Sequence, residues 1–201
     1  TVFIVRERAS KSKHLQLVSG VRLSAYWAST YLFDLFLYLL LTLCIMVAFC
    51  AYGADAARVF VGSWEAFAAT FLLTLGYGGC ALPFSYLLSR QFSNHTTAQI
   101  SIMGAFFVSG FVCVNGYFIL LTQDSTREAA EKLVGWFRLF PAYNVGEGFI
   151  GLSGSFYRRT ILGEDTRPFD WDVAGRNLAY MGWLAGVYGV LVLLLEYSED
   201  G

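Results

Sequence analysis

Few residues in this 201-residue chain are equipped for catalysis. The two histidines, His14 and His95, belong to no H-E-x-x-H pair that would bind a metal and activate water. No G-x-x-x-x-G-K-[ST] loop is present to cradle nucleotide phosphates. Ser10-x-x-Lys13 spells the S-x-x-K of penicillin-binding proteins, but it lies in a basic stretch without the partner motifs and matches by letters alone. Cys44, Cys50, Cys80 and Cys113 lie inside or at the ends of apolar runs, and none pairs in C-x-x-C spacing. That pattern predicts apolar buried thiols, not a metal or disulfide framework. Asp34 and Asp55 would have to share a proton to act as an intramembrane aspartyl protease. Asp55 falls in a short loop, which separates the two. The residues therefore predict no catalytic, metal or cofactor site of their own.

Two charged residues stand where charge is costly. Asp34 lies eight residues into an apolar run, about 12 Å along a helix axis. An ionised carboxylate at membrane depth costs several kcal/mol and must face protein or water. Two readings are open. Asp34 is a polar site on a transport path, or it sits near the interface, hydrated or bonded to Thr30, Tyr31 or Tyr38 on its own helix. Arg176 lies one turn into the last apolar run. It either meets a lipid headgroup or pairs with Asp172 at i−4.

The elements that hold these residues follow from composition. The chain is 56% hydrophobic and only 14% charged, with 17% aromatic residues and a mean hydropathy of +0.53. Soluble domains carry about 25% charged residues. The net charge of −1 gives no footprint for nucleic acid. Four continuous apolar runs, at about 26–50, 64–88, 98–121 and 173–195, each reach the roughly 20 residues that span a bilayer as helix. The expected fold is all-α: a multi-pass integral membrane bundle. Residues 25–121 hold the first three spans, and 171–201 the last span with a short tail. Thr1–Val5 reads as the last turn of a preceding helix, so the sequence is expected to be a piece of a longer chain.

The intervening segments set the topology. Residues 6–22 hold five Lys/Arg and one Glu beside a span, which places them in the cytosol. Residues 51–63 and 122–172 are then outside, and 89–97 and 196–201 inside. The sequon Asn94-His-Thr96 would stay unmodified. The basic segment is open to two readings: an anchor to anionic lipid, or a short helix over about 10–19 that docks on a soluble partner. Within 122–170, Ser125 and Glu128 form a capping-box pattern, and a helix over 128–140 ends at Pro141. A second short helix follows, with Asn144 as its expected N-cap and Glu147 three residues on. Two short apolar arms meeting at Phe140-Pro141 predict a re-entrant hairpin over about 128–152; the alternative is a pair of helices lying flat. Asp170 is the expected N-cap of the last span. Gly175, Ala179, Gly182 and Gly186 set a stripe of small residues along it, a helix-packing signal. Pro83 is expected to kink the second span.

Three motifs in order, RERASKSKHLQLVSGV (6–21) followed by Tyr26-Trp27 and Asp34, FPAYNVGEG (140–148) and WDVAGRNL (171–178), resemble the second transmembrane half of ABC transporters of the A subfamily. The resemblance covers essentially the whole chain. It implies a type V ABC exporter half, in which residues 1–24 hold the end of a transmembrane helix and a cytoplasmic coupling helix. Lys11, Lys13, His14, Leu15 and Gln16 would then face a nucleotide-binding domain, and 128–152 would be the exoplasmic re-entrant hairpin. It also implies ATP and Mg in nucleotide-binding domains elsewhere in the polypeptide, with those domains and the first transmembrane half as partners. The implied activity is ATP-driven movement of phospholipid or sterol between leaflets, with no ATP hydrolysis by these residues alone. The competing reading is a helical channel or secondary transporter subunit without ATPase coupling.

Overall fold

The computed structural model describes residue 20, residues 22–52 and residues 55–200. The described residues are helical throughout, joined by short turns, with no strand among them. Helix α1 covers Leu23–Tyr52, α2 Asp55–Val61 and α3 Trp64–Ser89. Helix α4, His95–Phe107, passes through a π-helical turn at Val108–Val112 into α5, Cys113–Leu121. Then come α6, Asp124–Phe137, and α7, Pro141–Tyr157, which runs into a second π turn at Arg158–Leu162. A third π turn, Trp171–Gly175, opens α8, Arg176–Asp200.

Four helical stretches are long and apolar enough to cross a bilayer: Leu23–Tyr52, Trp64–Ser89, His95–Leu121 and Trp171–Ser198. With the alignment reported below, they make the protein integral and multi-pass. Large side chains such as Phe33, Phe36, Val47, Ile100, Phe107 and Leu194 point outward from these stretches. In water that surface would aggregate; in hydrocarbon it is the solvent-matched face.

Helix α3 is the axis of the bundle. Its most apolar window is 44% buried, against 11–17% for the other three. The main core joins α3 (Ala69, Leu73, Cys80), α7 (Leu152), the turn before α8 (Val173, Ala174) and α8 (Met181, Leu184). A second cluster ties Tyr26 and Trp27 of α1 to Tyr86 of α3 and Val192 of α8. A third holds Val114, Val134 and Tyr143 of α5, α6 and α7.

Local sequence explains the ends. Ser63 caps α3, its Oγ accepting from the Ala66 N–H, and Asn94 caps α4 by accepting from the Thr96 N–H. Two expected caps are corrected. Helix α6 opens one turn earlier than the capping-box pattern placed it, with Gln123 at the N-cap position, so Ser125 is already helical. Phe140 occupies the N-cap position of α7 and Pro141 starts the helix, where the missing N–H of proline leaves no donor unpaired. Asn144 is therefore inside α7, not at its start. Asp170 does occupy the N-cap position before the last π turn, yet its carboxylate accepts from the Arg167 N–H and caps no helical amide.

Candidate functional site

The break between α6 and α7 leaves the Arg138 and Leu139 carbonyls outside the helical ladder, while that of Phe140 accepts the first bond of α7 from the Asn144 N–H. Each of the three is met by a side chain. Asn144 Nδ2 donates to the Arg138 and Phe140 carbonyls at 2.6 and 3.1 Å. The Tyr188 hydroxyl of α8 donates to the Leu139 carbonyl. Asn144 is fully buried, so its amide is a fixed brace.

Beneath that turn lies a charged network centred on Glu147, one turn past Tyr143 on α7. Arg138 clamps the carboxylate from both sides, Nε to Oε2 at 3.0 Å and Nη2 to Oε1 at 2.8 Å. Asn177 Nδ2 donates to Oε2 at 2.7 Å, and Arg176 Nη2 reaches Oε1 at 3.3 Å. The carboxylate thus joins the end of α6, the middle of α7 and the start of α8. Its side chain is 7% exposed and that of Arg138 11%. A bidentate guanidinium–carboxylate pair withdrawn from solvent is strong because both charges are hydrogen-bonded, and removing one partner leaves the other uncompensated. Burial works against the Arg138 charge, but hydrogen bonding and attraction from Glu147 outweigh it and hold its pKa above the ordinary value. Burial, reinforced by Glu147, pushes the Tyr143 phenol up. Arg176 also lies 3.9 Å from Asp172, the i−4 partner expected from spacing. The guanidinium of Arg138 stands 5.9 Å from the Tyr180 ring centre.

The packing around this network is close. A Cβ on Gly151 would lie 2.4 Å from the Val173 carbonyl oxygen, and one on Gly148 2.7 Å from a Leu73 methyl. Gly110, in the π turn, meets Ala142 the same way. Helix α7 is wedged among α3, the third span and α8, not laid across them.

Asp34 has a partner on another helix. The Tyr86 hydroxyl of α3 donates to its Oδ2 at 2.7 Å. Two of the three expected local partners are engaged elsewhere: Thr30 donates to the Tyr26 carbonyl and Tyr31 to that of Gly79. Most of the small-residue stripe on the last span faces away from the rest of this chain. Ala179, Gly182 and Gly186 are exposed, while α8 meets α3 through Met181, Leu184 and Val192. Gly175 alone of the four is closed in, against the Phe169 carbonyl. The proposed coupling residues Lys11, Lys13, His14, Leu15 and Gln16 lie outside the described residues.

Sequence reasoning missed Arg138, Asn177, Tyr86 and the ion pair of Arg90 with Glu196. Glu196 is 1% exposed at the far end of α8. Polar residues embedded in apolar runs were the available signal, since membrane-depth charge needs a partner; only the fold names that partner.

The model of the ABC-2 family transporter protein matches residues 1–194. The chain belongs to the ABC-2 transporter family. As an ABC-2 chain it is 29% identical over 205 aligned positions to the bovine (Bos taurus) retinal-specific phospholipid-transporting ATPase ABCA4, with 98% of the chain covered. It is 30% identical over 209 positions to the mouse (Mus musculus) ATP-binding cassette sub-family A member 7, and 28% over 210 to the human (Homo sapiens) phospholipid-transporting ATPase ABCA7. The resemblance to the A subfamily thus holds along the whole chain. The ABC-2 chain spans 9–10% of the length of these relatives.

Proposed function

We propose that this chain is the second membrane portion of an ATP-driven transporter that moves phospholipid between leaflets. The observation that carries the reading is the near-complete alignment with relatives that are themselves named phospholipid-transporting ATPases. In this reading residues 1–24 carry the coupling helix, 25–121 three spans, 122–170 the exoplasmic loop with its hairpin and 171–201 the last span. ATP and Mg²⁺ would be held by nucleotide-binding domains of the same polypeptide, because no phosphate loop occurs in these 201 residues. Those domains, the first transmembrane half and the bilayer are the partners.

The chain's own work is mechanical. Nucleotide-driven movement enters through residues 10–19, where Leu15 provides an apolar contact flanked by Lys11, Lys13, His14 and Gln16. Arg90 with Glu196 ties the ends of α3 and α8 on the cytosolic side. At the opposite end Glu147 ties α7 to α8. Helix α8 and the hairpin therefore move as one body, the rigid-element displacement that packed interfaces favour. Asp34, held by Tyr86 between α1 and α3, is the polar group a passing headgroup meets. Arg176, open between a headgroup and a pairing partner, is read here as part of the Glu147 brace.

Leu15→Asp in the complete transporter tests the coupling. ATP hydrolysis should continue while lipid flux falls about tenfold or more, since an apolar side chain at the proposed docking segment becomes a charge. Flux that keeps its normal ratio to ATP turnover refutes the assignment.

A further inference from the structure

Pro83 stands inside α3. Proline has no N–H, so the carbonyl four residues back, that of Gly79, loses its helical donor, and the ring crowds the same carbonyl. The Tyr31 hydroxyl of α1 supplies the missing donor, reaching the Gly79 oxygen at 3.0 Å. A freed carbonyl at membrane depth has no water to turn to, so a neighbouring helix must meet it. Two further features loosen α3 here. Gly76, Gly78 and Gly79 stand within about two turns before the proline, and glycine holds a helix less well than any other residue that carries an N–H. The Ser85 hydroxyl donates back to the Ala81 carbonyl at 2.7 Å, a bond that bends helices.

The packing changes partners at the same level. Before the proline, Ala69, Leu73 and Cys80 belong to the main core, which takes nothing from α1 among the described residues. After it, Tyr86 belongs to the cluster that holds Tyr26 and Trp27 of α1 and Val192 of α8. Tyr31 packs against that second cluster, so its hydroxyl reaches across the proline to a carbonyl on the other side. Helix α8 runs past both clusters, touching the first through Leu184 and the second through Val192. Between those contacts stand Gly186 and Gly189, where a Cβ would meet no described atom within 4 Å. A cavity of about 420 Å³ opens there, its described wall including Pro83, Tyr31, Gly186 and Gly189. Bending of α3 at this level leaves both clusters packed.

We propose that Pro83 is a hinge between two separately packed halves of α3, and that the Tyr31 hydroxyl is its latch, closed in this structure. Tyr31 is a positioning residue: it fixes the angle of α3, and with it the placement of α7 relative to the start of α1. The latch stands on backbone chemistry alone. Its use in transport rests on the lipid-transport reading above.

A double-mutant cycle tests the latch, read by hydrogen–deuterium exchange of the peptide over 80–90 in the full-length transporter held in lipid nanodiscs. Tyr31→Phe should speed exchange about fivefold, the loss of one net hydrogen bond that holds the segment closed. In the Pro83→Ala background Tyr31→Phe should change nothing, because the restored N–H pairs the Gly79 carbonyl. Equal acceleration in both backgrounds, or none in either, overturns the latch. If Pro83→Ala does not fold, Tyr38→Phe takes its place. Tyr38 lies on Gly78 through its ring, so exchange should stay at the wild-type rate, and acceleration equal to that of Tyr31→Phe overturns the latch. For the hinge, Pro83→Ala should lower ATP-coupled lipid flux about tenfold while the thermal midpoint holds or rises, a split that a merely structural proline would not give. Wild-type flux in Pro83→Ala overturns the hinge. A wild type without lipid flux fails the transport reading instead, and the exchange cycle still decides the latch.

Discussion

Replacing Glu147 with Gln leaves the Arg138 guanidinium beside a neutral amide in a site that excludes water. The hydrogen bonds from Asn177 and Arg176 weaken at the same moment, because three side chains make four hydrogen bonds to one carboxylate. Breaking one side of such a buried pair costs about 3 kcal/mol. The expected outcome is a clear fall in the thermal midpoint of the full-length protein in detergent, with the double change Arg138→Met, Glu147→Met recovering part of it. An unchanged midpoint for Glu147→Gln would remove the brace from the account. At Asp34 the stakes are smaller: one hydroxyl from Tyr86 is at issue, a net effect of about 1–2 kcal/mol.

Helix α7 is the element on which the most interactions converge. It is too short to span a bilayer at 17 residues, yet its buried face runs from Pro141 to Ser155. Glycine makes that insertion possible. Gly151→Ala forces a methyl against the Val173 carbonyl, which is backbone and cannot swing aside. Over-packing of this kind costs about 1–3 kcal/mol, and here it pries α7 from the turn that opens α8. Reduced expression and a lower thermal midpoint are expected for Gly151→Ala. Gly154→Ala, where a Cβ has open space, should behave as wild type in the same assay. Parity of the two variants would mean that α7 does not depend on this contact.

For the molecule as a whole, the topology is the quantity to test. From the basic segment at 6–22, the 89–97 turn beside the Arg90–Glu196 pair is expected in the cytosol. Asn94 is exposed and its side chain caps α4, so glycosylation of its sequon depends only on which compartment it meets. No glycan should appear at Asn94 when the full-length protein is expressed in mammalian cells and digested for glycopeptide mass spectrometry. A glycosylated Asn94 would invert the map.

The all-α membrane class was legible in the residues because the bilayer imposes its rule one segment at a time. A run of apolar residues must be helix, and its length states that it can cross. The glycine and proline punctuation marked the turn at Phe140-Pro141 as well. What sequence spacing cannot carry is contact between segments. Asn144 with Glu147 three residues on reads locally as a cap and its box, yet Asn144 turns back to the Arg138 and Phe140 carbonyls, and Glu147 bonds partners before and after it in the chain. Gly182 and Gly186 read as a seam, yet the rotation of α8 on α3 turns them outward. Periodicity fixes which residues share a face; only the packing of helices against one another decides what that face meets, because the energy of a buried charge or a close glycine lies in its neighbours and not in its own run.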